Sequence, residues 1–219
     1  MNTLEEQIRL SRKTLIEMLT DRGYITDDIV PELPESLFVK LWPTFTNESS
    51  VFDIECENNV GERIYVTYIR NHILSKEKNK KKVLPLQKMH KKILQTQDLL
   101  HTDNILYVIC DTQYEQVLET YEDFLKKNKN VEIFDIKRLL LNITKHFYVP
   151  KHTLLNNKQV QLLKNNLQIS SIYKLPVISH TDPVARYYNL KRGDVVQITR
   201  VSPSYGKHIT YRVCSDVEE

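Results

Sequence analysis

Cysteine, glycine and long apolar runs are scarce in this sequence. Its three cysteines, Cys56, Cys110 and Cys214, stand far apart, and no Cys-x-x-Cys or His-x-x-x-His spacing occurs, so no zinc signature is present. Cys56 and Cys110 fall in apolar, strand-like stretches, where a thiol packs as a small hydrophobe. The seven histidines are scattered, which reads as surface or singly bonded core groups. No catalytic residue, metal or cofactor is expected. No apolar run approaches the ~20 residues of a membrane-spanning helix. The opening Met1-Asn2-Thr3-Leu4-Glu5-Glu6 has neither the basic nor the apolar region of a signal peptide. The expectation is a soluble, intracellular protein with no membrane partner. Only four glycines are present while Lys and Asn are frequent, a bias toward an AT-rich genome.

What is present is enough to bury a core: 219 residues, 41% hydrophobic and 27% charged, a length that suits two small domains. The net charge of +3 is unevenly spread. Residues 1–145 carry 21 basic against 23 acidic side chains, and residues 146–219 carry 10 against 5, so the halves stand at −2 and +5. The second half is compatible with a polyanionic partner but lacks the basic stripe of an autonomous nucleic-acid binder.

Thr3-Leu4-Glu5-Glu6 has the form of a capping box, and Leu4, Ile8, Ser11, Leu15, Met18 and Leu19 follow at helical spacing until Gly23 offers a left-handed helix end. Pro31, Pro34 and Pro43 predict an irregular surface loop over residues 31–43. Two alternating runs, 51–57 and 63–70, joined by Asn58-Asn59-Val60-Gly61, read as a hairpin. Residues 74–92 gather eight lysines, with a helix expected from Leu86. Residues 105–110 form a continuous apolar run, the mark of a strand covered on both faces. Helical spacing from Tyr114 to Phe124 and a β-rich run at 131–136 then predict a parallel pair with a right-handed crossover. The first domain is therefore α/β, a mixed sheet flanked by helices.

In the second domain, Asn156 or Asn157 can cap a short helix, and Asp182-Pro183 fixes another helix start, with the carboxylate capping and the proline at the first helical position. Lys191-Arg192-Gly193-Asp194 predicts a tight turn before a strand at 195–201, and Pro203-Ser204-Tyr205-Gly206 a turn back into a strand at 208–214. The chain is expected to end in a β-hairpin.

These same residues carry a resemblance. Asp182-Pro183-Val184-Ala185-x-Tyr187-x-x-Leu190-Lys191-Arg192-Gly193-x-Val195-Val196 resembles the signature of the RNA polymerase subunit 5 family, which takes in a shorter archaeal polymerase subunit similar to its C-terminal domain. It extends upstream through Asn142-Ile143-Thr144-Lys145-His146 and Val149-Pro150-Lys151-His152, and downstream through Arg200-x-Ser202, Gly206 and Tyr211-Arg212. Asp21-Arg22-Gly23-Tyr24 resembles the opening of the jaw domain found in the eukaryotic members. One departure stands out: where that jaw has a Thr-Pro-Ser-Ala turn after its central strand, this chain reads Asp111-Thr112-Gln113-Tyr114.

The resemblance implies a non-catalytic subunit of a DNA-directed RNA polymerase, monomeric within a hetero-oligomer. It implies a jaw over residues 1–145 with a restriction-endonuclease-like core, lying beside downstream double-stranded DNA, and an α+β assembly domain over 146–219 docking on the largest subunit. The compartment would be the nucleus for a cellular protein, and the virion or a cytoplasmic viral factory for a virus-encoded one. The docking candidates are Pro150, His152, Asp182, Tyr187, Lys191, Arg192, Arg200, Tyr211 and Arg212. Caps, turns and core packing compete for several of them: Asp182 as a helix cap, Tyr187 and Tyr211 as core fillers, Arg192 as a solvated turn residue. Arg200 and Arg212 fall on neighbouring strands and would repel if adjacent, which calls for an acidic neighbour or partner. Lys78, Lys80, Lys81, Lys82, Lys88, Lys91 and Lys92 are the DNA-phosphate candidates, set against a solvated loop. Two other readings compete. A metal-dependent nuclease would use Asp135-Ile136-Lys137 with Asp53 or Glu55, and a free regulator would bind polymerase without belonging to it.

Overall fold

Helix α1 (Leu4–Asp21) begins where the Thr3 hydroxyl accepts from the Glu6 N–H at 3.3 Å. It ends where the Tyr24 N–H reaches the Leu19 carbonyl and the Gly23 N–H the Thr20 carbonyl, a closure that needs the positive φ of Gly23, +91°. These bonds belong to the computed structural model, which describes residues 3–44, 51–70, 90, 104–110, 124–202 and 206–215. The stripe of α1 is buried from Ile8 to Leu19 as its spacing predicts, Leu4 being half-buried, and one charged residue, Arg12, is buried with it. Arg12 donates from Nε to the Val30 carbonyl at 3.1 Å and from Nη1 to the Phe52 carbonyl at 3.0 Å, so one guanidinium ties two later segments to the helix.

The loop expected over residues 31–43 contains a helix instead, α2 (Glu35–Leu41), continued by a 3-10 turn at Trp42–Thr44. The prolines do not prevent it. Pro34 stands at the cap, where its missing N–H belongs to no helical bond, while its carbonyl accepts from Leu37 and Phe38. Pro43 comes after α2 has ended. Burial of Phe38 holds the helix in place: its ring stacks on Phe52 at 5.0 Å and on Trp42 at 5.6 Å, with the Arg9 guanidinium 4.6 Å above it.

Strands β1 (Ile54–Glu57) and β2 (Arg63–Arg70) pair antiparallel, with Glu57 opposite Arg63. Asn58 shapes the turn between them, its Oδ1 accepting from the Val60 and Glu62 N–H groups at 3.0 and 2.9 Å. β3 (Asn104–Cys110) runs parallel to β2, and β4 (Val131–Asp135) parallel to β3, giving the order β1-β2-β3-β4. Residues 105–110 are buried throughout, as a central strand requires. At the far edge, Arg22 and Glu132 form a forked ion pair at 2.9 and 3.0 Å, their side chains 4% and 16% exposed. The lysine-rich segment and the two helices expected around it lie outside the described residues, His90 and Phe124 apart.

The chain divides into two compact units, Met1–Leu141 and Asn142–Glu219. The second carries its own mixed sheet, built from β5 (Lys151–Leu154), β6 (Val177–Ser179), β7 (Val195–Ser202) and β8 (Gly206–Ser215) in the order β5-β7-β8-β6. β7 is antiparallel to both its neighbours, and β6 runs parallel to β8. The residues joining β7 to β8 lie outside those described. Helix α3 (Asn157–Asn166) starts with a full capping box between Asn156 and Gln159. Helix α4 (Pro183–Tyr187) starts where Asp182 Oδ1 accepts from the Val184 N–H at 2.8 Å. Each face of the sheet has a separate core. Ile178, Val196, Ile198 and Cys214 meet Ala185 and Leu190 on one side, while Val195 and Val213 meet Leu163 and Leu175 on the other. All three cysteines are buried and none is in a disulfide, and burial pushes the Cys56 thiol up to about 11. Among the described residues no helix is long and apolar enough to cross a membrane.

The Arg22–Glu132 pair gives a direct test of unit 1. Glu132→Ala takes the carboxylate from a nearly fully buried guanidinium and should cost about 3 kcal/mol, read as a lower urea midpoint by fluorescence of Trp42, the single tryptophan.

Candidate assembly surface

Strand register decides which candidate residues share a surface. His152 lies opposite Ile198, Arg200 opposite His208, and Val196 opposite Arg212. Because side chains alternate along a strand, His152, Arg200, His208 and Arg212 project to the face that α4 partly covers. Arg200 and Arg212 are thus four ladder positions apart rather than adjacent, which relieves the repulsion that close pairing would bring. Both are exposed, and Arg212 donates from Nη1 to the Val177 carbonyl at 3.1 Å, which holds its guanidinium at the β6 end of the sheet.

His152 is the half-buried member of this group. Its Nδ1 lies 2.7 Å from the Pro150 carbonyl, which can only accept, so in the neutral ring Nδ1 carries the hydrogen and Nε2 presents a lone pair. Burial holds its pKa below the ordinary histidine value. The Pro150 bond and the field of Asp182 oppose that shift, while the fields of Arg200 and Arg212 add to it. A neutral imidazole set among one carboxylate and two guanidinium groups makes a positive, polar face able to receive acidic side chains.

The other candidates fall elsewhere. Tyr187 is 3% exposed, and its hydroxyl takes a hydrogen bond from Asn142 Nδ2 at 3.0 Å, so its ring belongs to the interior of unit 2. Asn142 in turn accepts from the Thr144 N–H and hydroxyl, which organises the entry into the unit. Tyr211 lies on the opposite face from Arg212 and packs on the α3-side core. Asp182 is spent as the α4 cap. Lys191 and Arg192 are exposed in the turn before β7, where Lys191 Nζ donates to Asn189 Oδ1 at 2.7 Å and the Lys191 N–H to Asp194 Oδ2 at 2.7 Å. The nine residues therefore divide: His152, Arg200 and Arg212 on a basic face with the Pro150 carbonyl bonded to His152, Lys191 and Arg192 in a turn, Asp182 as a helix cap, Tyr187 inside, and Tyr211 partly buried on the other face. Sequence reasoning passed over Phe147 and Tyr148, which are 91% and 83% exposed with ring centroids 5.3 Å apart. The available signal was three consecutive ring-bearing residues, His146-Phe147-Tyr148, in a stretch with no strand or helix period.

In unit 1 the carboxylates of the nuclease reading have other partners. Asp135 Oδ1 caps the 3-10 turn Ile136–Leu139 by accepting from the Lys137 N–H at 2.9 Å. Asp53 accepts from the Tyr65 hydroxyl, and Glu55 faces Arg63 at 3.8 Å. Among the described residues no three His, Cys, Asp or Glu side chains are grouped to hold a metal ion. The seven lysines named for DNA lie outside the described residues.

The lowered pKa of His152 sets the sign of a pH effect. Unfolded, the ring takes up a proton near pH ~6.5, and folded it does so lower, so the unfolded chain binds more protons in the interval between. Stability from this group is present above about pH 6.5 and lost as pH falls through the folded value. Protection factors of the β7 and β8 amides, taken against the intrinsic exchange rate at each pH, should fall on acidification in the native protein, with a flatter dependence in His152→Gln.

Comparison with known proteins places the chain in a family. Residues 141–214 match the family model described as RNA polymerase Rpb5, C-terminal domain. Over 209 residues the chain is 31% identical to the DNA-directed RNA polymerases I, II, and III subunit rpabc1 of Dictyostelium discoideum, covering 93% of this chain and 94% of that one. It is 31% identical over 215 residues to the DNA-directed RNA polymerases IV and V subunit 5B of Arabidopsis thaliana, covering 94% and 88%. A subunit 5-like protein 1 from the same plant is 29% identical over 205 residues, covering 92% of each. The similarity runs through both units, so the chain belongs to the RNA polymerase subunit 5 family.

Proposed function

We propose that this chain is a non-catalytic subunit of a multisubunit DNA-directed RNA polymerase and works in transcription, in the nucleus for a cellular protein. One observation carries the reading: the similarity to named polymerase subunits spans 94% of the length of the Dictyostelium relative, so both units are included. In this reading residues 146–219 dock on the largest subunit, and residues 1–145 form a jaw beside downstream duplex DNA. The sheet of one antiparallel and two parallel pairings, with α1 beside it, is compatible with a restriction-endonuclease-like core. The basic face of Arg200, Arg212 and His152 supports docking against an acidic surface, with Lys191 and Arg192 in the turn before β7. Engagement of Asp135 and Asp53 in internal hydrogen bonds weighs against the nuclease reading.

Purification through a tag on the full chain tests membership. An active polymerase containing the chain in stoichiometric amount is expected; a salt-labile, substoichiometric association would identify a free regulator instead. The double variant Arg200→Glu, Arg212→Glu should remain folded, since both side chains are exposed, yet lose co-purification by about tenfold or more. Replacing Lys78, Lys80, Lys81, Lys82, Lys88, Lys91 and Lys92 by Gln should make retention of downstream DNA weaker and less salt-dependent. An unchanged salt slope removes these lysines from the DNA path.

A further inference from the structure

The β7–β8 ribbon is longer than the strands beside it. β6 pairs only with residues 213–215 of β8, and β5 only with residues 196–199 of β7. Hydrogen bonds at the base show which backbone groups face outward. The Cys214 N–H goes inward to the Asp194 carbonyl at 2.7 Å, while the Val213 N–H goes outward to the Pro176 carbonyl at 3.0 Å. Alternation along the strand then turns the peptide groups of Lys207, Ile209 and Tyr211 outward, and among the described residues no strand lies beside them. Folded proteins commonly cover or blunt such an edge, because it is a template for another strand. Here it carries an apolar side chain in the open, Ile209, 40% exposed, and on the neighbouring strand β7 Val201, opposite Lys207, is 83% exposed.

We infer that the outer edge of β8 over residues 207–211 receives an extended segment of a partner polypeptide as a fifth strand, with side chains alternating between acidic and apolar. This deepens the docking reading proposed above and rests on it. Backbone pairing would supply the affinity, and the two faces of the ribbon would supply the selection. On one face the incoming strand meets His208, Thr210 and Arg212, with Arg200 one strand further, so carboxylates are favoured there. On the other it meets Ile209 and Tyr211, where aliphatic side chains cover exposed apolar surface. A basic segment would bring like charges together on the first face, and a second β8 edge would do the same, which selects against self-pairing.

The experiment compares amide hydrogen exchange in the full chain alone and in the polymerase purified through it. Protection of residues 207, 209 and 211 should rise about tenfold or more in the complex, while inward-facing amides such as that of Cys214 change little. Ile209→Pro removes one outward N–H and no β7–β8 bond, so it should keep the ribbon yet lose polymerase binding, whereas Ile209→Ala should largely retain it. If the proline variant melts early, the wild-type exchange comparison decides alone. A chain present in the polymerase with those amides unprotected overturns the strand-addition inference and leaves the docking reading intact. A chain absent from any polymerase overturns both. Protection that appears in the isolated chain as its concentration rises assigns the edge to a second copy and overturns the partner assignment.

Discussion

Unit 2 depends on the register of the ladder between β7 and β8. Eight residue pairs run from Val195–Val213 to Ser202–Gly206, and each strand feeds both cores at once. A slip of one residue would exchange the two faces, sending Arg212 toward the α3-side core and Val213 toward the basic face. The slip is blocked at the base of the ribbon. There Gly193, at φ +94°, donates to the Cys214 carbonyl at 2.9 Å, and the Cys214 N–H returns to Asp194. Asp194 also takes the Lys191 N–H, so the turn and the first rung of the ladder form one hydrogen-bonded assembly.

The motif spanning residues 182–196 is therefore mainly an instruction for folding. Asp182 and Pro183 start α4, which lays Ala185 on the sheet; Leu190 closes the same core; Gly193 and Asp194 set the register. The surface then follows as a by-product of that order. Arg200, Arg212 and His152 reach one face because their positions in the three strands share parity. The geometry of this basic face is therefore set by the cap and the turn rather than by the side chains it carries.

How much of this was legible in the sequence depends on how local each cause is. The helix starts at Thr3, Asn156 and Asp182 and the turns closed by Asn58 and by Lys191 with Asp194 involve partners within four residues, and their residue types declare them. The buried strand at 105–110 showed itself by continuous hydrophobicity. Helix α2 was hidden because proline counts against a helix only in its interior, and Pro34 and Pro43 both lie outside it. The burial of Tyr187 was hidden for a different reason: its hydroxyl partner, Asn142, is 45 residues away. Parity along β8 separates Tyr211 from Arg212 in sequence, yet which face a helix covers is decided by packing. The guanidinium of Arg12 gave no sign of its place inside α1, since its acceptors are backbone carbonyls with no sequence signature.

The three buried thiols carry a consequence for how this protein can be observed. Cys56 and Cys110 lie in the first sheet and Cys214 in the second, none of them paired in a disulfide. A thiolate, the reactive form, is suppressed while each side chain is packed. Alkylation by a small reagent thus becomes a clock for opening, with Cys214 timing one unit and Cys56 and Cys110 the other. The sequence thus carries its own labels for both units, with Cys214 in the core beneath α4 and the other two in the first sheet.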